Sequence, residues 1–234
     1  MRSIVLSFTL ALVASPLLAQ DAPPAEFDPD DLVARSDSFA MLVNGSPIGG
    51  QRMALDRTDD GWRFTERTEV GGRMEQRTTV YLDQDLDPVS VRQVGSAMGD
   101  SMGVAVDYDD GRAVGSARTP SPQGVFAEKE IDATVPDGVV DDNTLQALLP
   151  ALEWSADASR RVPVFSSGTG ETRETVLRVT GIETVEVPAG AFEAYRIAAD
   201  RETAPVVFWV TTAAPHRVVK VASQAAPFES VLVE

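Results

Sequence analysis

The sequence predicts an all-β protein with one short helix, built on an antiparallel sheet. Three observations carry this. From Phe39 onward, short β-like runs alternate with turns rich in Gly, Asp and Asn. Val185–Ile197 sets two strand-like stretches around a Pro188-Ala189-Gly190 turn, and a second strand pair follows at Val206–Val210 and Val218–Val221. One leucine stripe at helical spacing (Leu145, Leu148, Leu149, Leu152) interrupts the pattern. A sandwich and a barrel both satisfy these observations.

The chain opens with an export signal over residues 1–19. Arg2 supplies a short positive region, Ile4–Val13 an apolar one, and the small residues through Ala19 a cleavage site. About twenty apolar residues are needed to span a bilayer, so this run is too short to serve as an integral anchor. The expected location of the mature chain is the periplasm. Residues 20–36, rich in Pro and Asp without strand periodicity, read as a flexible spacer, with one turn of helix at Asp30–Ala34. Residues 37–234 then form a single domain.

Each strand has its own signal. Phe39–Val43 runs into Asn44-Gly45, a strong hairpin dipeptide. Gln51–Arg57 ends at Asp59-Asp60-Gly61. Trp62 and Phe64 share one face of the next strand and Arg63, Thr65, Arg67 and Glu69 the other, the period of a half-buried strand. Gly71-Gly72 precedes Arg73–Leu82, and Asp87-Pro88 precedes Val89–Val94. Val104–Tyr108, Ala113–Arg118 and Val125–Ala133 follow, parted by Asp109-Asp110-Gly111 and closed by Pro136-Asp137-Gly138. The helix falls near residues 143–153: Asp141-Asp142-Asn143 offer capping oxygens, and Pro150 must stop or kink it near Leu149. Its leucines need an apolar partner, which the sheet supplies. Strands resume at Arg161–Phe165 and Arg173–Val187 and continue to Ser230–Glu234.

Composition excludes several function classes. The chain has no cysteine, so neither a lipidated N-terminus, nor a disulfide, nor a thiol nucleophile is available. Without Arg2, the mature chain carries 19 basic against 36 acidic residues, a net of −17, which repels phosphate backbones and argues against nucleic-acid binding. Eighteen of the 20 basic residues are Arg; Lys129 and Lys220 are the two lysines.

Leu148-Leu149-Pro150, Gly181–Ile197, Val206–Trp209 and Pro215–Lys220 resemble, in order and spacing, a family of uncharacterised bacterial periplasmic domains related in shape to the outer-membrane lipoprotein carriers (LolA-like). The likeness is good over roughly residues 140–234 and one of style before that. It implies a strongly curved antiparallel sheet, a half-barrel or incomplete barrel with the helix packed on the concave side. It implies no catalytic residues.

The motifs with chemical potential read as structure. His216 is the only histidine, follows Pro215 at a strand start, and has no Gly-x-Ser-x-Gly partner, so a hydrolytic triad is not indicated. Asp83, Asp85 and Asp87 mimic the start of a calcium loop, but Pro88 stands where such a loop needs Gly and Val94 where it needs Glu. Gly168-Thr-Gly-Glu171 lacks the Lys of a phosphate loop. No metal or cofactor is expected. What remains is apolar surface: Trp62, Phe64, Met74, Leu145, Leu149, Leu177, Phe192, Phe208 and Trp209. Each alone reads as core; together, in a half-barrel, they line a concave face with room for a hydrophobic ligand. The expected function is non-catalytic binding of a lipid, an acyl chain or an envelope protein. The alternatives are a purely structural interaction module and a carboxylate-dependent hydrolase, the last requiring two acids of separated pKa in one cleft.

Overall fold

The computed structural model describes residues 22–121, 124–200 and 205–234. The expected export signal therefore lies outside the described residues. Fifteen strands form one sheet: β1 (Arg35–Val43), β2 (Ser46–Thr58), β3 (Gly61–Val70), β4 (Met74–Leu82), β5 (Pro88–Ala97), β6 (Asp100–Asp109), β7 (Arg112–Pro120), β8 (Phe126–Thr134), β9 (Val140–Asp141), β10 (Ser159–Ser166), β11 (Glu171–Val187), β12 (Gly190–Asp200), β13 (Val206–Thr211), β14 (Val218–Ser223) and β15 (Phe228–Leu232). The one α-helix among the described residues, α1 (Leu145–Leu148), runs straight into a 3-10 turn at Leu149–Ala151.

The strand order is β8 to β1 in sequence, then β15 back to β9. Two meanders thus meet where β1 pairs antiparallel with β15, Phe39 opposite Leu232. Among the described residues, the one parallel strand pair is β9 with β10. No ladder joins β8 to β9 among the described residues, so the sheet curls without closing: the half-barrel that the family resemblance implied.

Curling has a steric cause that can be read at two glycines. A Cβ on Gly95 would fall 2.2 Å from the Glu75 carbonyl oxygen, and one on Gly115 would fall 1.9 Å from that of Ala105. At both positions the neighbouring strand bends over the site a side chain would occupy, as it must where a sheet coils tightly.

Inside the curl sits the plug. Leu145, Leu148, Leu149 and Leu152 are at most 1% exposed. The α-helical part is shorter than the expected 143–153. Pro150 has no N–H to give, and the chain tightens to a 3-10 turn in which Leu152 N bonds Leu149 O at 3.2 Å. The expected capping group is present but works one turn early: Asp141 Oδ1 accepts from Asn143 N at 3.0 Å, and Thr144 Oγ1 donates to Asp141 O at 2.9 Å.

The stretch expected to be a flexible spacer, residues 20–36, is held from Ala22 onward. Arg161 N donates to Pro23 O (2.8 Å), Ala25 N to Arg161 O (2.9 Å) and Asp28 N to Ala151 O (2.8 Å), while Ala22 and Leu32 are buried. The reason is edge chemistry. β9 pairs only with Val164 and Phe165 of β10, and the extended proline-rich segment satisfies Arg161 beyond it. Its turn is 3-10, Pro29–Asp31, capped by the Asp28 side chain, and β1 starts within the supposed spacer, at Arg35.

Candidate functional site

Cross-strand pairing arranges the inner face of β1–β6 in rows. One lower row, Leu55, Phe64, Val80, Val91 and Val106, is apolar and at most 2% exposed. Between it and Ala147 of the plug the packing leaves a void of about 10 Å³, room for one water at most. The lower half of the curl is filled.

The next rows change character. Met53, Glu66, Thr78, Gln93 and Val104 lie side by side, then Gln51, Thr68, Gln76, Gly95 and Met102. Polar groups here bond mainly to one another. Thr68 Oγ1 donates to Glu66 Oε1 at 2.8 Å. Gln76 Nε2 and Gln93 Nε2 both donate to Thr78 Oγ1, at 3.2 and 3.3 Å. Ser230 Oγ, on β15, reaches Gln51 Oε1 at 3.4 Å, and Gln51 in turn bonds Glu66. The outermost row, Met41, Gly49, Val70, Met74 and Ala97, borders the hairpin ends. Met41, Gln51, Glu66, Val70, Met74, Gln76 and Met102 all keep part of their surface open, unlike the row below. The upper half of the curl is thus a mouth with a polar band and a methionine rim.

Glu66 is surrounded closely enough that burial pushes its carboxyl above the usual range, against the opposing hydrogen bonds from Thr68 and Gln51. Two other acids are raised. Asp87 is shifted by partial burial and by Asp83, Asp85 and Asp137 around it. Asp141 is shifted by near-complete burial, against donors from Tyr108 and Asn143. The three have separate neighbours, so no two of them share a cleft as paired-carboxylate hydrolysis requires. Asp83 Oδ1 accepts from Asp85 N and Asp87 N, both at 2.9 Å, and so closes a turn. His216 Nδ1 lies 2.7 Å from Thr211 O. Among the described residues, no three His, Asp or Glu side chains come together as a metal site.

The sequence-derived site residues divide unevenly. Trp62, Phe64, Leu145, Leu149, Leu177 and Phe208 belong to the packed core, each at most 5% exposed. Trp209, next to Phe208, takes the opposite face, where Arg196 and Lys220 stand over its ring and its indole N–H donates to Glu183. Phe192 packs half-buried against the core from the β11–β12 hairpin. Of the nine, Met74 alone stands in the open mouth. The polar band was missed, although its signal was present: extending the β3 alternation by two steps puts Glu66 and Thr68 on the face of Trp62 and Phe64.

The chain belongs to the protein family of unknown function DUF3108, whose model matches residues 38–231. Its fold is similar to the crystal structure of a beta-barrel-like protein of domain DUF1849 from Brucella abortus, at 12% identity, with 87% of this chain and 97% of that chain covered and a TM-score of 0.51. A lipoprotein-described structure from Parabacteroides distasonis covers 91% of this chain and 98% of its own at 10% identity, but its TM-score of 0.30 bears no weight. No curated protein matches in sequence. No helix among the described residues is long and apolar enough to cross a membrane.

Proposed function

We propose that this DUF3108 domain is a non-catalytic envelope module that binds a lipid-like amphiphile in the mouth of its half-barrel. One observation carries the reading: the inner face divides at the plug into a sealed apolar floor and a partly open mouth where methionines flank a polar band. A purely apolar ligand has no place on the floor, which the plug leucines occupy. An amphiphile suits the mouth, because thioether side chains adapt to irregular alkyl surface and the band offers hydrogen bonds to a head group. The export signal read from residues 1–19 supports placing the module in the periplasm. Docking of an envelope protein is the second reading, favoured by β8, whose outer edge pairs with no strand among the described residues.

Native mass spectrometry on residues 20–234, purified without detergent and incubated with membrane-lipid extract, tests the first reading. The expected result is an adduct of lipid mass, weakened in Met74→Glu. A clean apo mass with no uptake overturns it and turns attention to the β8 edge.

A further inference from the structure

Two acids stand in one row of the inner face: Asp37 and Glu66, on either side of Met53. Asp37 is fully compensated. Arg35 Nε donates to its Oδ2 at 3.0 Å and Arg217 Nε to its Oδ1 at 2.8 Å. Glu66 has no such partner: no Arg or Lys among the described residues pairs with it, and its bonds come from one hydroxyl and one amide. A carboxylate partly withdrawn from water without a cation is unfavourable. Asp141 tolerates that condition because the seam closes over it and Tyr108 and Asn143 bind it. Glu66 instead faces the mouth with acceptor capacity left over.

We propose that Glu66 receives the ammonium group of a cationic amphiphile whose alkyl chain lies along the methionine rim. This rests on the mouth reading above and specifies its ligand. An ammonium carries three N–H donors and no acceptor. Around Glu66 the acceptors are the carboxylate itself and the amide oxygens of Gln51 and Gln76, because Thr78 Oγ1 already accepts from Gln76 and Gln93. From Glu66 to Val70 the strand runs four residues outward, about 13 Å at ~3.3 Å per residue. A dodecyl chain leaving the band therefore passes Met74 and Met102 and reaches the rim. The net charge of −16 draws cations toward the protein. An anionic head is repelled by the same carboxylate that holds an ammonium, and a neutral hydroxyl leaves that carboxylate uncompensated.

The test measures binding of dodecylammonium, dodecanol and dodecanoate, below their micellar range, to the mature protein by titration calorimetry. The set includes Glu66→Gln, Gln76→Lys (a built-in ammonium beside Glu66) and Glu69→Gln, the same charge change on the exposed outer face. Dodecylammonium is expected to bind the parent protein at least tenfold more tightly than either other probe. Glu66→Gln and Gln76→Lys should each erase that preference while dodecanol binding persists, and Glu69→Gln should preserve it. Because Gln76 is half-exposed, its variant keeps the test decisive should Glu66→Gln fold poorly. Equal binding of all three probes, or an equal loss in Glu69→Gln, overturns the role of Glu66 and leaves the mouth reading standing. No binding of any probe overturns both.

Discussion

The Tyr108 hydroxyl on β6 donates to Asp141 Oδ2 on β9 at 2.6 Å, linking two strands that stand far apart in the sheet order. Across the same seam Thr119 Oγ1 donates to Gly168 O at 3.4 Å and Lys129 Nζ to Thr169 O. The Tyr108 ring also meets Phe165 edge-on, with centroids 5.7 Å apart. Side chains, not a backbone ladder, therefore hold the half-barrel nearly shut. Tyr108→Phe keeps the ring contact and strips one donor from a buried carboxylate, so it should cost about 1–3 kcal/mol. Urea unfolding measures this; a change below about 0.5 kcal/mol would mean that water replaces the bond.

Asp37 holds an arginine, Arg35, that bonds the plug to the sheet. It is 6% exposed, it pairs with Arg35 and Arg217, and Arg35 Nη2 goes on to donate to Ala147 O in α1 at 3.3 Å. Removing the acid leaves two cations facing each other in a largely buried setting, and burial already lowers the Arg35 pKa. Asp37→Ala should therefore destabilise by roughly 3–5 kcal/mol. Arg217→Ala should cost less, because Arg217 is more exposed than Arg35 and Arg35 still compensates the acid. Equal losses in the two variants would refute this ranking.

Strand identity was legible in the chain because alternation and turn dipeptides are local signals. Trp62 and Phe64 share a face as read, Asn44-Gly45 makes the β1–β2 turn, and Pro188-Ala189 joins β11 to β12. Other features depend on partners remote in sequence. Pairing of Pro23 and Ala25 with Arg161 gives the proline-rich segment its place, and nothing in residues 20–36 announces it. The apolar residues chosen as a ligand surface are, apart from Met74 and Phe192, closely packed. Hydrophobicity marks what is buried, not whether a plug or a ligand buries it. Glu66 was legible by period and overlooked because a charged residue in a strand reads first as solvent-facing.

The β11–β12 turn yields a prediction that combines both kinds of information. Gly190 has φ of +136°, in the region where residues with a Cβ are strained, and Ala189 N donates to Leu232 O at 3.2 Å, binding the turn to β15. Gly190→Val should cost more than about 1 kcal/mol in thermal or urea unfolding. Gly115→Ala should cost about 1–3 kcal/mol for a different reason, since its Cβ meets backbone rather than strain in φ. A Gly115→Ala variant as stable as the parent would show that the strands can part without losing the curl.

Glu66 gives stability a pH dependence of definite sign. Burial raises its folded-state pKa above that of the unfolded chain. Below the unfolded value, near 4.3 for Glu, both states hold the proton and the residue has no effect on stability. As pH rises from there to the folded value, the unfolded chain releases its proton first, and the contribution of Glu66 turns progressively destabilising. Above the folded value the penalty is constant. Glu66→Gln keeps the hydrogen-bonding geometry and has no proton to lose, so its midpoint relative to the parent should climb from pH 4 upward and then level off. Paired thermal scans across pH 4 to 8 read this directly. A relative midpoint that falls with pH would mean that the folded protein stabilises the carboxylate, and that a cation already compensates it.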